Sequence, residues 1–236
     1  MKNVAAWASL PLPEGEAPVY LVRRARKSIG IRIADGCVEL VAHPRVSQQH
    51  LRQVLDEKRD WIIQHVLRQR EQQRAAADLS AVVYLGQPLA LRLTGGLRRT
   101  ARLAGGALEV SGVTDSDEAG LRLVVERWLK RQALSHFSSR LAALAAQCVR
   151  KPSGLALSSA RTRWGSCTAA GVVRLNWRLM QAPPAIIDYV LAHELAHLSH
   201  MDHSPAFWRE TGRLYPDWKN ARHWLKQHGG DLFRFG

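Results

Sequence analysis

The stretch His193-Glu194-Leu195-Ala196-His197-Leu198-Ser199-His200-Met201-Asp202-His203 gathers the side chains most able to do chemistry, with four of the chain's ten histidines and a glutamate directly after the first. On a helix, His193 and His197 stand one turn apart and face the same way, so two imidazoles can close on one cation. Glu194 then lies beside that cation, placed to take a proton from an attacking water, which is the mechanical content of the H-E-x-x-H spacing. A helix with histidines on a merely solvated face gives no reason for them to crowd around a glutamate.

A third ligand has to come from chain that has left the helix. In an unbroken helix His200 would keep the azimuth of His193 but lie about 10.5 Å further along the axis. That is too far for rings that converge with metal–nitrogen bonds of about 2.0–2.1 Å. His203 fits better, and Glu210 is the weaker alternative, either as third ligand or as acceptor for a histidine N–H. Three imidazoles plus a base suit a catalytic Zn2+, since structural zinc sites fill all four positions with protein ligands, often cysteine.

The elements that must position these groups follow from the flanking pattern. Ile186, Ile187, Val190, Leu191, Leu195 and Leu198 give the histidine segment an apolar back at helical spacing, and Pro183-Pro184 stand where a helix start tolerates proline. Ser204-Pro205 opens another helix by the same logic, and a last one runs over residues 218–227 to Gly229-Gly230. Trp208, Trp218 and Trp224 form aromatic packing behind the site. Upstream, residues 155–161 and 172–177 read as a hairpin closed by Thr162-Arg163-Trp164-Gly165-Ser166-Cys167, with the second strand offering its backbone to an extended peptide. A long helix opened by Asp115 or Ser116 carries Leu121, Val124, Val125, Trp128, Leu129, Phe137, Leu141, Leu144 and Cys148 and is expected to pack on the histidine helix.

Earlier in the chain, Pro11, Pro13, Pro18 and Gly15 mark residues 1–18 as a flexible leader. Strands are expected at 19–22, 29–33 and 38–41, with Asp35-Gly36 as a turn, then one helix from a Ser47 cap through Leu51, Leu55, Ile62 and Val66 to about Arg74. A second β group at 82–85, 89–93, 100–103 and 107–110 reads as an antiparallel meander. The organisation expected is α+β: leader 1–18, a β-rich N-terminal region with one helix over 19–112, and a catalytic domain over 113–236.

Composition narrows the classes. The 236 residues are 46% hydrophobic and 23% charged, an ordinary globular balance, and no apolar run approaches the length of a membrane span. Cys37, Cys148 and Cys167 are an odd set without metal spacing, which suits a reducing compartment and the cytoplasm. The net charge of +14 is spread evenly, with Lys and Arg exceeding Asp and Glu by four in residues 1–80 and by five in each of 81–150 and 151–236. A nucleic-acid reader shows a concentrated stripe instead, so that partner is not favoured. The densest run, Arg23-Arg24-Ala25-Arg26-Lys27, is expected on one edge or solvated face of a strand.

Beyond the histidine motif, Thr162-Arg163-Trp164-Gly165-Ser166-Cys167, Leu175-Asn176, the run from Asp188 to His197, His203-Ser204-Pro205-Ala206-Phe207-Trp208 and Tyr215-Pro216-Asp217-Trp218 together resemble the YgjP-like metal-dependent hydrolases, relatives of the SprT-like zincin metalloproteases. The resemblance implies a compact zincin-type helical domain with a β-hairpin or edge strand beside the HExxH helix. It also implies that His193, His197 and His203 bind Zn2+ and that Glu194 is the catalytic residue. Peptide-bond hydrolysis of a peptide or protein substrate is the expected activity, with Arg163, Trp164, Asn176 and Tyr215 as candidate substrate-binding residues and Arg163 or Tyr215 placed to hold the oxyanion. Two rival readings stand beside it. One is a zinc hydrolase of an anionic small molecule such as a nucleotide, since Arg161, Arg163, Arg174 and Arg178 flank the site and arginine forks suit phosphate. The other is a non-catalytic DNA-associated zinc protein, which the presence of Glu194 opposes.

Overall fold

A computed structural model of the chain describes residues 6–34, 36–77 and 79–233, and only the backbone of 72–77. The chain forms two compact units, Met1–Ala77 and Asp78–Gly236. The expected division at 112/113 is therefore displaced: the second β group shares one continuous core with the histidine helix, from Val82 and Leu108 through Trp128 and Phe137 to Leu191 and Leu195. Among the described residues, no helix is long and apolar enough to cross a membrane.

In the first unit, β1 (Ala8–Pro11), β2 (Glu16–Arg23), β3 (Gly30–Ala34) and β4 (Cys37–Ala42) form a sheet in the order β1-β2-β4-β3. The strand β1 corrects the expected leader: its prolines do not prevent pairing, because Pro11 and Pro18 sit on strands where one side has no neighbour to serve or the partner is short. Asp35, of the expected Asp35-Gly36 turn, lies outside the described residues. The single helix expected after Ser47 is two, α1 (Gln48–Glu57) and α2 (Arg59–Ala77), parted at Lys58. Ser47 caps α1 as expected, accepting from the His50 N–H at 3.2 Å. Leu51, Leu55, Ile62 and Val66 from these helices bury against Leu10, Val19, Val38 and Leu40.

The second unit opens with β5 (Ala81–Tyr84), β6 (Gln87–Thr94), β7 (Thr100–Ala104) and β8 (Ala107–Ser111), again ordered β5-β6-β8-β7. The meander is thus corrected: β8 enters between β6 and β7 and runs parallel to β6. Alternation of apolar and polar residues assigns each side chain to a face of a sheet, but it is silent on which strand is the neighbour and on its direction. Leu85 and Gly86, at φ 50° and 79°, make the two-residue turn between β5 and β6. That turn docks on the start of the histidine helix: the Leu85 N–H donates to the Met180 carbonyl at 2.7 Å, and a Cβ at Gly86 would lie 3.0 Å from Pro183.

The helix α3 (Glu118–Ala145) is capped by Asp117, just beyond the expected Asp115 or Ser116. It buries Leu121, Val124, Val125, Trp128, Phe137 and Leu141. Then come β9 (Gly154–Ser158), β10 (Gly165–Cys167) and β11 (Val172–Asn176), in the order β10-β11-β9. The expected hairpin of 155–161 with 172–177 does not form, because β9 and β11 run parallel, and β10 is the antiparallel partner of β11. The connection between them is long enough for the crossover a parallel pair needs. Consequently β11 is the central strand and β10 the edge.

A 3₁₀ turn over Trp177–Gln181 leads into α4 (Pro184–Ala196), followed by α5 (Pro205–Leu214) and α6 (Trp218–His228). Ser204 caps α5, and Pro184 and Pro205 occupy first-turn positions where a missing N–H costs nothing. A fork from Arg140 of α3 donates to both oxygens of Asp188 on α4, at 2.8 and 2.7 Å. This pair ties α3 to α4 through two charged hydrogen bonds. Because Arg140 is two-fifths exposed, Asp188→Ala is predicted to cost about 1–2 kcal/mol, below the full range for charged hydrogen bonds. It should read as a lower denaturant midpoint at unchanged m-value.

Candidate metal centre

Helix α4 ends where the geometry requires. Ala196 is its last residue and His197 its C-cap, after which the chain turns and returns through Ser204 into α5. The return carries His203 back onto the two helical rings: the Nε2 atoms of His203 and His193 are 3.3 Å apart, and ligand atoms of His193, His197 and His203 all lie within 4.8 Å of one another. Two nitrogens bound tetrahedrally at about 2.0–2.1 Å would be separated by about 3.3 Å. The Nδ1 of His197 faces the carbonyl of His200 at 3.0 Å. A carbonyl only accepts, so Nδ1 carries the proton and Nε2 keeps its lone pair for a metal. His200 thus enters through its backbone, while Glu210 is held in a two-pronged pair by Arg213.

Phe207 is the floor of the cluster. Fully buried on α5, it lies with its ring centroid 4.8, 4.5 and 4.7 Å from those of His193, His197 and His203. Trp208 stands 5.7 Å from His193 and stacks on Trp218 at 4.5 Å. Trp224, expected in that group, stacks on His228 instead.

Electrostatics favour a neutral, cation-ready site. Burial, with help from His197, His203 and Arg222, pushes His193 down to about 3. Burial lowers His197 as well. Burial pushes the Glu194 carboxyl up to about 8, and its Oε2 is buried without a hydrogen-bond partner. A buried carboxyl with an idle oxygen, beside two imidazoles that burial holds neutral and a third ring converging on them, is a donor set that a divalent cation would complete, and the cation's charge would restore the ionised carboxylate. The residues present therefore fit a bound metal.

The cleft over this cluster has a volume of about 290 Å3. The edge strand β10, Gly165 to Cys167, forms one wall, and the three histidines, Glu194 and Met201 form the other. Gly165 touches Glu194 so closely that a Cβ would collide with its carboxylate. Cys167 lies within reach of the same carboxylate, its thiol raised by burial first and by Glu194 second.

The other candidate site residues fall elsewhere. Asn176 is fully buried, and both ends of its amide serve the backbone: Nδ2 donates to the Ala160 carbonyl at 2.7 Å, and Oδ1 accepts from the Arg178 N–H at 3.1 Å. It shapes the loop before β10 and is not open to a substrate. Trp164 packs on Phe233 at 5.2 Å, and Arg163 is exposed with its carbonyl facing Asn176. Tyr215 lies behind Tyr189, which is 6.5 Å from it and 6.1 Å from His193. Arg161 and Arg178 stack on Phe233. Phe207 and Gly165 were missed as site residues although both lie in motif segments, because neither carries a reactive group.

The family model of the YgjP-like, metallopeptidase domain matches residues 27–228. The chain belongs to the YgjP-like family, and with it to a class of metal-dependent peptidases. No curated protein and no solved structure matches this chain.

Two tests probe this geometry. In metal-stripped protein, folded Glu194 keeps its proton between about pH 4.5 and 8 while the unfolded chain has lost it, so its contribution to stability falls as pH rises through that window. Glu194→Gln has no proton to lose; its melting temperature should pull ahead of the stripped wild type from pH 5 to pH 8, and parallel curves would refute the desolvated carboxyl. Phe207→Leu, which thins the floor under all three rings, should weaken metal affinity on the order of tenfold, read by competition with a chromogenic chelator.

Proposed function

We propose that the protein is a zinc-dependent peptidase in which His193, His197 and His203 hold the ion and Glu194 is the general base. The observation that carries this reading is the convergence of three imidazoles on one point beside a buried carboxylate oxygen with no partner. Zn2+ held there would polarise the substrate carbonyl and bring the pKa of a water toward about 7. Glu194 takes the proton of the attacking water on its idle oxygen and returns it to the leaving amine. Its burial keeps that proton from bulk solvent, and Gly165 leaves room for the carboxylate to face the cleft.

The free edge of β10 aligns the substrate. An extended peptide pairing with Gly165 to Cys167 would lie along the wall opposite the histidines. This role moves from β11, the strand favoured by sequence, to β10, because both edges of β11 are already occupied. The arginines that favoured a nucleotide substrate line other parts of the surface or stack on Phe233, which leaves peptide as the better fit.

The deciding experiment measures zinc per chain and turnover of an unstructured protein and a nucleotide panel, for wild type and Glu194→Gln. Peptide cleavage by the wild type, with zinc retained and rate reduced at least about a hundredfold in the variant, is the expected result. Nucleotide turnover alone, or cleavage indifferent to Glu194, overturns the proposal. Gly165→Ala should retain zinc yet lose activity, since the added methyl displaces the carboxylate it touches.

A further inference from the structure

The basic run Arg23-Arg24-Ala25-Arg26-Lys27 is not spent as a solvated strand face. Strand β2 ends at Arg23, whose guanidinium turns inward and donates to the His43 and Val46 carbonyls at 2.9 Å each. The next residues leave the sheet, anchored by the Arg24 N–H on the Ala42 carbonyl at 2.9 Å. Arg24 and Arg26 then line a groove of about 590 Å3 at the end of the first unit's sheet, together with Gly30, Ile31 and Arg32 of the edge strand β3.

Three arginines therefore line one concavity, against a single carboxylate residue in its lining, Glu39 of β4. Glu39 stands opposite Arg32 in the strand register, and their charged atoms approach only to 3.9 Å. The Arg26 guanidinium lies over Gly30, where a Cβ would collide with it, and it makes a long 3.4 Å bond to the Ser28 hydroxyl. An arginine fork satisfies a carboxylate one to one, whereas a phosphate group offers enough oxygens for several forks at once.

We propose that the Arg24–Arg26–Arg32 groove is a binding site for a phosphate-bearing anion, separate from the metal centre. The phosphates come either from a single-stranded nucleic acid or from a small phosphorylated molecule. Arg24 and Arg26 contribute from the loop after β2, Arg32 from the sheet edge, and Glu39 sets the ceiling on affinity by opposing the ligand's charge.

Binding of a labelled oligothymidylate by anisotropy, and of pyrophosphate by calorimetry, tests the site on the full chain. With all three arginines engaged, log K for the oligonucleotide should fall against log salt with a slope of about −2, at about 0.7 per phosphate neutralised. Arg26→Gln should lower that slope by about 0.7 and weaken binding about tenfold. Glu39→Gln should tighten binding about two- to fivefold, a gain that a misfolded variant does not imitate. Protein stripped of metal by a chelator should bind both probes as untreated protein does, which assigns the binding to the first unit's groove. Tight oligonucleotide binding that pyrophosphate displaces poorly supports the nucleic-acid source; saturable pyrophosphate binding with no tighter oligonucleotide supports the small molecule. Binding of neither probe, or binding indifferent to both Arg26→Gln and Glu39→Gln, overturns the proposal.

Discussion

Three imidazole rings can share one point only if the helix carrying two of them stops before the third. This constraint organises the second unit. Helix α4 has to end at Ala196, the loop has to be short and turned by its own carbonyl on His197, and α5 has to begin near enough for His203 to return. Phe207, three residues into α5, then closes the arrangement from below. The two helical rings are held neutral by burial, so their desolvation belongs to the same design as the convergence itself.

The supports of α4 reach far along the sequence. The left-handed turn at Leu85-Gly86 braces its entrance through Met180 and Pro183, and the Arg140 fork braces its middle through Asp188. Neither support touches the cleft. Their effect is to fix the axis along which His193, Glu194 and His197 project, and small errors in that axis are magnified where three donors must meet.

How far the sequence disclosed this depended on the range of the information. Helical spacing placed His193, Glu194 and His197 together, and the fixed rise per residue favoured His203 over His200, because both arguments need only local geometry. Caps were equally readable: Ser47, Ser204 and Pro184 act within a few residues of themselves. Strand partners were not, since alternation is the same for β11 whether its neighbour is β9, β10 or a substrate. Asn176 misled for a related reason, because a polar residue that ties down a loop from inside looks the same in sequence as one that waits in a cleft. Phe207 and Gly165 matter through what they touch across the fold, and no spacing rule registers that.

The strand order carries a consequence for how the chain acquires its shape. In each of the three sheets a strand made later is inserted between two made earlier: β4 between β2 and β3, β8 between β6 and β7, β11 between β9 and β10. A ribosome delivering this chain releases the two strands that flank each inserted strand, its rim, before the inserted strand itself. Each rim stays an open pair of backbones until the keystone strand emerges, so nascent segments are longest exposed to wrong partners just short of Ala42, Ser111 and Asn176, and closure at those points is a non-local, comparatively slow event.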